Sequence, residues 1–133
     1  DAALIGRLFA GFCLIMGHIF PAYYQFKGGK GALCGIVVAF MTDWRVGVCC
    51  VIVFLVIVIF TRYVSLGSVM AAILAPVFFW VFGYGTYQGL LLMFSALLIV
   101  LKHADNIVRL LKGTERRLEL GGKRRKIDED EIV

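Results

Sequence analysis

The amino-acid sequence predicts an all-α integral membrane protein, a multi-span helical bundle of about five spans followed by a charged tail. Three observations carry that prediction. Apolar residues make up 61% of the 133-residue chain and charged ones 17%, with a mean hydropathy of +0.90, whereas a soluble domain averages roughly 45–50% apolar and about 25% charged. The apolar residues fall in long runs separated by short polar breaks. The lysines and arginines are spread very unevenly among those breaks. This length has room for one bundle and no second domain, so residues 1–115 are assigned to the bundle and 116–133 to a tail.

The first run, about Ala2 to Tyr24, is long enough to cross a bilayer, which takes ~20 residues. Arg7 lies near its outer end, where a long side chain reaches the interface, and Tyr23 and Tyr24 mark the other interface. Pro21 stops this helix. The second run, Gly31 to Thr42, is short for a span, so it is expected to borrow the preceding glycine loop, to tilt, or to be partly re-entrant. Asp43-Trp44-Arg45 is a small charged turn with an interfacial Trp. Val46 to Phe60 is uninterrupted; at this composition it is a lipid-embedded helix rather than a buried strand. A polar stretch, residues 61–68, leads to Val69–Phe82, where Pro76 is an expected kink. The last run is Tyr87 to Leu101, continuing as an interfacial amphipathic turn with Ile107, Leu110 and Leu111 on one face. Residues 116–133 carry basic and then acidic runs and read as a disordered tail. Cys13, Cys34, Cys49 and Cys50 all lie in apolar runs without metal-site spacing and are read as packing or lipid-facing residues.

Five crossings place three polar stretches on one side of the membrane. These are the 24–30 loop, the 61–68 stretch and everything after residue 101. That side holds Lys27, Lys30, Arg62 and every later Lys and Arg, while the other holds Arg7 and Arg45. The positive-inside rule makes the first side cytoplasmic.

Residues 27–31, Lys-Gly-Gly-Lys-Gly, combine backbone freedom with positive charge directly before a helix. Glycines let amides turn toward an anion, and a helix N-terminus favours one. Gly31 and Ala32 follow Lys30, so a Walker A loop with its Ser or Thr is excluded. A solvated lysine turn is the simpler alternative. Of the other polar residues, His103 and Asn106 share one helical face. Arg62 is either a ligand or an interfacial anchor, His18 closes an apolar helix, and Ser65 and Ser68 either bind or cap the next helix. The three stretches are read as holding a single acid, Asp105, ahead of the tail. A pocket with cations and few carboxylates suits phosphorylated substrates and lacks the carboxylate cluster that Mg²⁺ usually takes. No Ser-His-Asp spacing and no HExxH occurs. The rival reading is a non-catalytic anion-binding membrane protein, such as a transporter half, although no self-similarity of the transporter kind is visible. Membrane lipid is an expected partner and nucleic acid is not.

Four motifs occur in order: Gly17-His18-x-Phe20-Pro21, Phe26-Lys27-Gly28-Gly29-Lys30-Gly31, Thr61-Arg62-Tyr63-Val64-Ser65-Leu66-Gly67-Ser68, and Lys102-His103-x-x-Asn106-Ile107-x-Arg109-Leu110-Leu111-x-Gly113-x-Glu115. Together they resemble the acyl-phosphate-dependent glycerol-3-phosphate acyltransferases of bacterial membranes, the PlsY family, from near residue 1 to about Leu118. The resemblance implies transfer of a fatty acyl group from acyl-phosphate to the 1-hydroxyl of glycerol 3-phosphate, in the bacterial inner membrane, giving lysophosphatidic acid and phosphate. It implies a cytoplasmic-side site and no metal or cofactor. By the same resemblance Lys30, Ser68, His103 and Asn106 grip glycerol 3-phosphate, while Gly28, Gly29 and Gly31 present amides to phosphate. Arg62 and Ser65 join the binding set, Lys30 and His103 are the catalytic candidates, and the proton acceptor is His103 or the leaving phosphate. Members of that family resemble a seven-span bundle with a Gly-Ser-Asn-rich first loop that is not found here. The chain therefore looks like the C-terminal part of such a bundle, either a fragment or half of a site completed by a missing segment or a partner chain. Leu33 and Cys34 stand where members commonly have a small residue and Thr.

Overall fold

The computed structural model describes residues 2–119. It has six helices: α1 (Ala2–Ile19), α2 (Ala32–Thr42), α3 (Trp44–Thr61), α4 (Val64–Val81), α5 (Thr86–Lys102) and α6 (Ala104–Leu111), with a 3-10 turn at Ala22–Tyr24. Each break has a local cause. Pro21 follows the end of α1 and cannot extend it. Gly31, at φ +77°, precedes α2. Asp43 alone separates α2 from α3, because its carboxylate caps the Arg45 amide at 2.7 Å. The expected three-residue turn is therefore a single residue. Likewise the polar stretch 61–68 is mostly helix. Only Arg62, in the left-handed region at φ +61°, and Tyr63 interrupt the chain, and Val64–Ser68 open α4. α4 continues through the buried Pro76.

Helices α1 to α5 close a ring in chain order, α5 packing back on α1, and α2 also reaches across to α4 and α5. The core is built from Leu8, Ile15 and Ile19 of α1, Val38 and Ala39 of α2, Val46 and Cys50 of α3, Ala71, Ala75 and Phe79 of α4, and Leu92 and Ile99 of α5. Larger apolar side chains, among them Phe9, Ile59, Phe60 and Phe94, point outward. That distribution suits a lipid solvent, where close contact between helices favours small residues. Gly11 and Gly35 mark two such contacts, since a Cβ on either would come within 2.6 Å of Val38 or Ile99 respectively. Cys13 is exposed, Cys34 and Cys49 are half-buried and Cys50 is buried; all four are free.

α1, α3 and α4 each have 18 residues, about 27 Å of helix against a hydrocarbon core of ~30 Å. Among the described residues three helices are long and apolar enough to cross a membrane, and a fourth is added if α5 and α6, bent by 59°, count as one broken span. α2, with 11 residues, spans only ~16 Å. The end of α1, the α3–α4 break and the α5–α6 bend all lie at one end of the ring, tied together by the contacts that form the site.

Candidate functional site

The site begins with the loop between α1 and α2. Gln25 and Phe26 both have positive φ, 52° and 60°, which turns the chain back onto the end of α1. The Gly29 amide donates to the His18 carbonyl at 3.2 Å. The glycines are required here by closeness: a Cβ on Gly28 would lie 2.1 Å from the His18 carbonyl oxygen, and one on Gly29 2.2 Å from the His18 ring. This seating aims Lys30 across the end of the bundle, where its Nζ donates to Asn106 Oδ1 at 2.6 Å, 76 residues away. Lys27, by contrast, uses only its backbone amide, bonded to Tyr24, and its ammonium has no hydrogen-bond or ion-pair partner among the described residues.

Asn106 is held from the other side by a residue that the sequence reading left without a role. Gly113, at φ +69°, ends the α6 segment and turns the chain back. Glu115 is thereby brought under α4 and α6. Its Oε1 accepts from Asn106 Nδ2 at 2.6 Å and from Ser65 Oγ at 2.7 Å, and its Oε2 accepts from Arg109 Nε at 2.8 Å. These hydrogen bonds hold its carboxyl at about 2, the Arg109 guanidinium first among them, with Ser65 and Asn106 adding to it. Asp105 is thus not the only acid of the three stretches, and it lies exposed on the outer side of α6. A signal for Glu115 was present: an acid two residues past a helix-ending glycine, in a region otherwise rich in cations. The chain then continues as a strap. Leu118 N–H donates to the Arg62 carbonyl at 2.7 Å, and Arg117 Nε donates to the Tyr63 hydroxyl at 3.1 Å. Residues 116–119 are exposed and are tied to the α3–α4 break by these two hydrogen bonds, and the rest of the expected tail lies outside the described residues.

His103 sits at the α5–α6 bend, 3% exposed, and Asn106 is 5% exposed on the same face. The Nδ1 of His103 is 2.8 Å from the Ile99 carbonyl. A carbonyl only accepts, so Nδ1 carries the proton and Nε2 keeps its lone pair. Burial is the main cause that lowers the His103 pKa, and the nearby Lys30 charge lowers it further, against opposing pulls from Ile99 and Glu115. The imidazole is therefore neutral at neutral pH.

Of the sequence candidates, the structure joins Lys30, Asn106 and Ser65 through Glu115 and puts His103 beside them, while Gly28 and Gly29 seat the loop. Ser68 donates to the Val64 carbonyl at 3.0 Å and lines an apolar cavity of about 40 Å³ inside the ring. Arg62 enters only through its carbonyl; its guanidinium is exposed and has no hydrogen-bond or ion-pair partner among the described residues. Among the described residues no three His, Cys, Asp or Glu side chains group together as a metal site, and no buried side-chain nitrogen or oxygen lacks a partner.

Fold and site define an integral membrane helical bundle with one closed polar network, carrying a positioned ammonium and a neutral imidazole, at one end. Residues 2–113 match the family model described as glycerol-3-phosphate acyltransferase, and the chain belongs to that family. It is 41% identical over 107 residues to a glycerol-3-phosphate acyltransferase of Thermotoga petrophila, covering 80% of this chain and 54% of the relative. With one from Methylococcus capsulatus it shares 39% over 114 residues, 86% and 57% of the two chains. Among solved structures it resembles PlsY, an integral membrane glycerol 3-phosphate acyltransferase, in its glycerol 3-phosphate form. The TM-score is 0.76 at 37% identity, over 79% of this chain and 52% of that one. A lysophosphatidic acid form of PlsY matches equally well. The chain spans about half the length of the relatives it matches.

Proposed function

We propose that this chain carries the glycerol 3-phosphate-binding part of an acyltransferase that moves a fatty acyl group from acyl-phosphate to the 1-hydroxyl of sn-glycerol 3-phosphate. The products are lysophosphatidic acid and phosphate. The observation that carries the proposal is the Lys30–Asn106–Glu115 chain of hydrogen bonds beside the neutral His103. Family membership and the two ligand forms of the solved relative support it.

Acyl-phosphate is a mixed anhydride and needs no covalent enzyme intermediate. The protein's task is to hold two phosphorylated molecules in line and offset their repulsion. Lys30 Nζ leaves Asn106 Oδ1, or shares its other N–H bonds, to meet the glycerol phosphate. The first-turn amides of α2 add donors, and Ser68 adds one when its hydroxyl turns away from the Val64 carbonyl. The substrate hydroxyl donates to His103 Nε2, which orients its oxygen on the acyl carbon. A carbon–oxygen bond forms, the bond to the phosphate oxygen breaks, and phosphate leaves with that electron pair. The hydroxyl proton passes to His103 or directly to the departing phosphate and ends on phosphate. We place this end on the cytoplasmic side of a bacterial inner membrane, because among the described residues Lys27, Lys30, Arg62, Lys102, Arg109, Lys112, Arg116 and Arg117 belong to it.

Binding and transfer are tested separately on the purified protein in liposomes. Glycerol 3-phosphate, but not glycerol, is expected to raise the melting temperature. With palmitoyl-phosphate present, and with this segment held in a complete bundle of the family, lysophosphatidic acid is expected to form without added Mg²⁺. Turnover that needs acyl-CoA, or that stops with EDTA, refutes the donor assignment; equal protection by glycerol refutes the phosphate site.

A further inference from the structure

A second polar concavity lies at the opposite end of the bundle and shares no residue with the network around Glu115. It is a cleft of about 610 Å³ bounded by Arg7 of α1, Met41 at the end of α2, Trp44 and Arg45 at the start of α3, and Tyr84 from the α4–α5 turn. Two guanidinium groups from separate helices face it, each oriented by the protein with donors to spare. Asp43 Oδ2 accepts from Arg45 Nε at 3.1 Å and Nη2 at 2.7 Å, and the Arg45 group stacks 4.7 Å over the Phe82 ring. The Tyr84 hydroxyl donates to the same carboxylate at 2.6 Å, and Tyr84 is itself stacked on Phe79 at 4.2 Å. Arg7 Nη1 donates to the Met41 carbonyl at 3.1 Å. A guanidinium has five N–H donors, so both arginines keep several for a ligand.

Among the described residues Asp43 is the only acid lining the cleft and is saturated by Arg45 and Tyr84, so the part of the cleft that the described residues line is cationic. Its rim is apolar: Met41 is 52% and Trp44 68% exposed, and both continue into the outward-facing Val37 and Phe40. Arginine within an apolar helix is costly unless paired, planar guanidinium forks fit phosphate oxygens, and Trp favours the headgroup level. We propose that this cleft seats the phosphodiester headgroup of an anionic phospholipid, in the leaflet opposite the Lys30 site, with its acyl chains along the exposed face of α2. The apolar rim selects a lipid over a free phosphate ion, and the surplus positive charge selects an anionic headgroup over a zwitterionic one.

The test uses the purified chain in a maltoside detergent, with lipid retention read by native mass spectrometry and stability by thermal unfolding. The probes are phosphatidylglycerol, phosphatidylcholine, diacylglycerol and inorganic phosphate. Phosphatidylglycerol is expected to be retained and to raise the melting temperature, phosphatidylcholine to do so less, and the other two not at all. Arg7→Gln removes a charged donor without touching the Asp43–Arg45 pair and is expected to weaken retention about tenfold or more. Arg7→Lys keeps the charge, loses the fork and falls between, which covers the case of a poorly folding Gln variant. Lys112→Gln, at the other end, leaves retention unchanged. Equal retention by wild type and both Arg7 variants overturns the proposal. So does equal retention of diacylglycerol, or equal stabilisation by inorganic phosphate.

Discussion

Lys30 and Lys27 are three residues apart in the same loop, and the structure gives them different work. Lys30 Nζ reaches Asn106 Oδ1 at 2.6 Å, and Asn106 is fixed by Glu115. The ammonium is thus placed in advance of any ligand. Lys27 contributes a backbone hydrogen bond to Tyr24 and a solvated charge. Replacing Lys30 by Ala removes one hydrogen bond from a charged donor, about 1.5–3 kcal/mol. At 1.36 kcal/mol per decade, kcat/KM is expected to fall about tenfold to a hundredfold, with a raised KM for glycerol 3-phosphate. Lys27→Ala loses only diffuse attraction, and exposed charges are worth about 0–1 kcal/mol, so its loss should stay within about fivefold. The assay is lysophosphatidic acid formation from palmitoyl-phosphate at several glycerol 3-phosphate concentrations, with each variant's expression and melting temperature measured alongside. Equal losses in the two variants would reduce the loop to a diffuse positive patch. A silent Lys30→Ala would remove this lysine from the site.

Other variants separate holding from binding. Glu115→Ala leaves the buried donors of Ser65 and Asn106 without an acceptor, at about 1–3 kcal/mol for each orphaned group. A melting temperature lower by several degrees is expected, and an unchanged one would contradict the hub. Because the Glu115 carboxyl is depressed from 4.5 to about 2, its ionised form stabilises the fold above pH 4.5. That contribution is lost as pH falls toward 2, so the melting temperature of wild type should drop over this window more than that of Glu115→Gln. Gly28→Ala meets a backbone oxygen whereas Gly29→Ala meets a movable ring; the first should raise the KM for glycerol 3-phosphate clearly more than the second, and the reverse order would refute the seating described. If His103 takes the proton, the rate should fall as pH drops below its lowered pKa and stay flat through neutrality, and His103→Gln should abolish that limb. A limb that survives in the variant assigns the proton to the leaving phosphate.

What the sequence made legible, and what it hid, follows from the range of the interactions involved. Hydropathy is a summed, local property, so the membrane class, the helix α2 that is short for a span and the last helix near Thr86–Lys102 could all be read from runs of residues. The placing of three polar stretches at one end followed from alternating the crossings. The loop's glycines were noticed for their freedom toward an anion, yet Gly28 and Gly29 are needed first because the loop packs against His18, a contact that no local pattern signals. The start of α4 was misplaced by five residues because Arg62 makes the break in a left-handed conformation that an arginine does not advertise. Glu115 was quoted within a motif and still given no role, because Asp105 was read as the only acid of the three stretches. Its surroundings are compatible with a bound phosphate. Ser65, Asn106 and Arg109 supply three hydrogen bonds to its two oxygens, and the paired Arg109 guanidinium offsets the charge that would repel a phosphate. The carboxylate's hydrogen bond to Asn106 Nδ2 leaves Asn106 Oδ1 as the atom that faces Lys30. The negative charge therefore works through an amide to place a positive one, and that is why the two Glu115 substitutions are informative. Gln keeps an acceptor for Ser65 and Asn106 but brings N–H groups toward Arg109, whereas Ala keeps nothing. If orienting Asn106 is the function of Glu115, Gln should retain substantially more affinity for glycerol 3-phosphate than Ala at temperatures where both are folded. Equal affinities would mean that Glu115 serves folding alone.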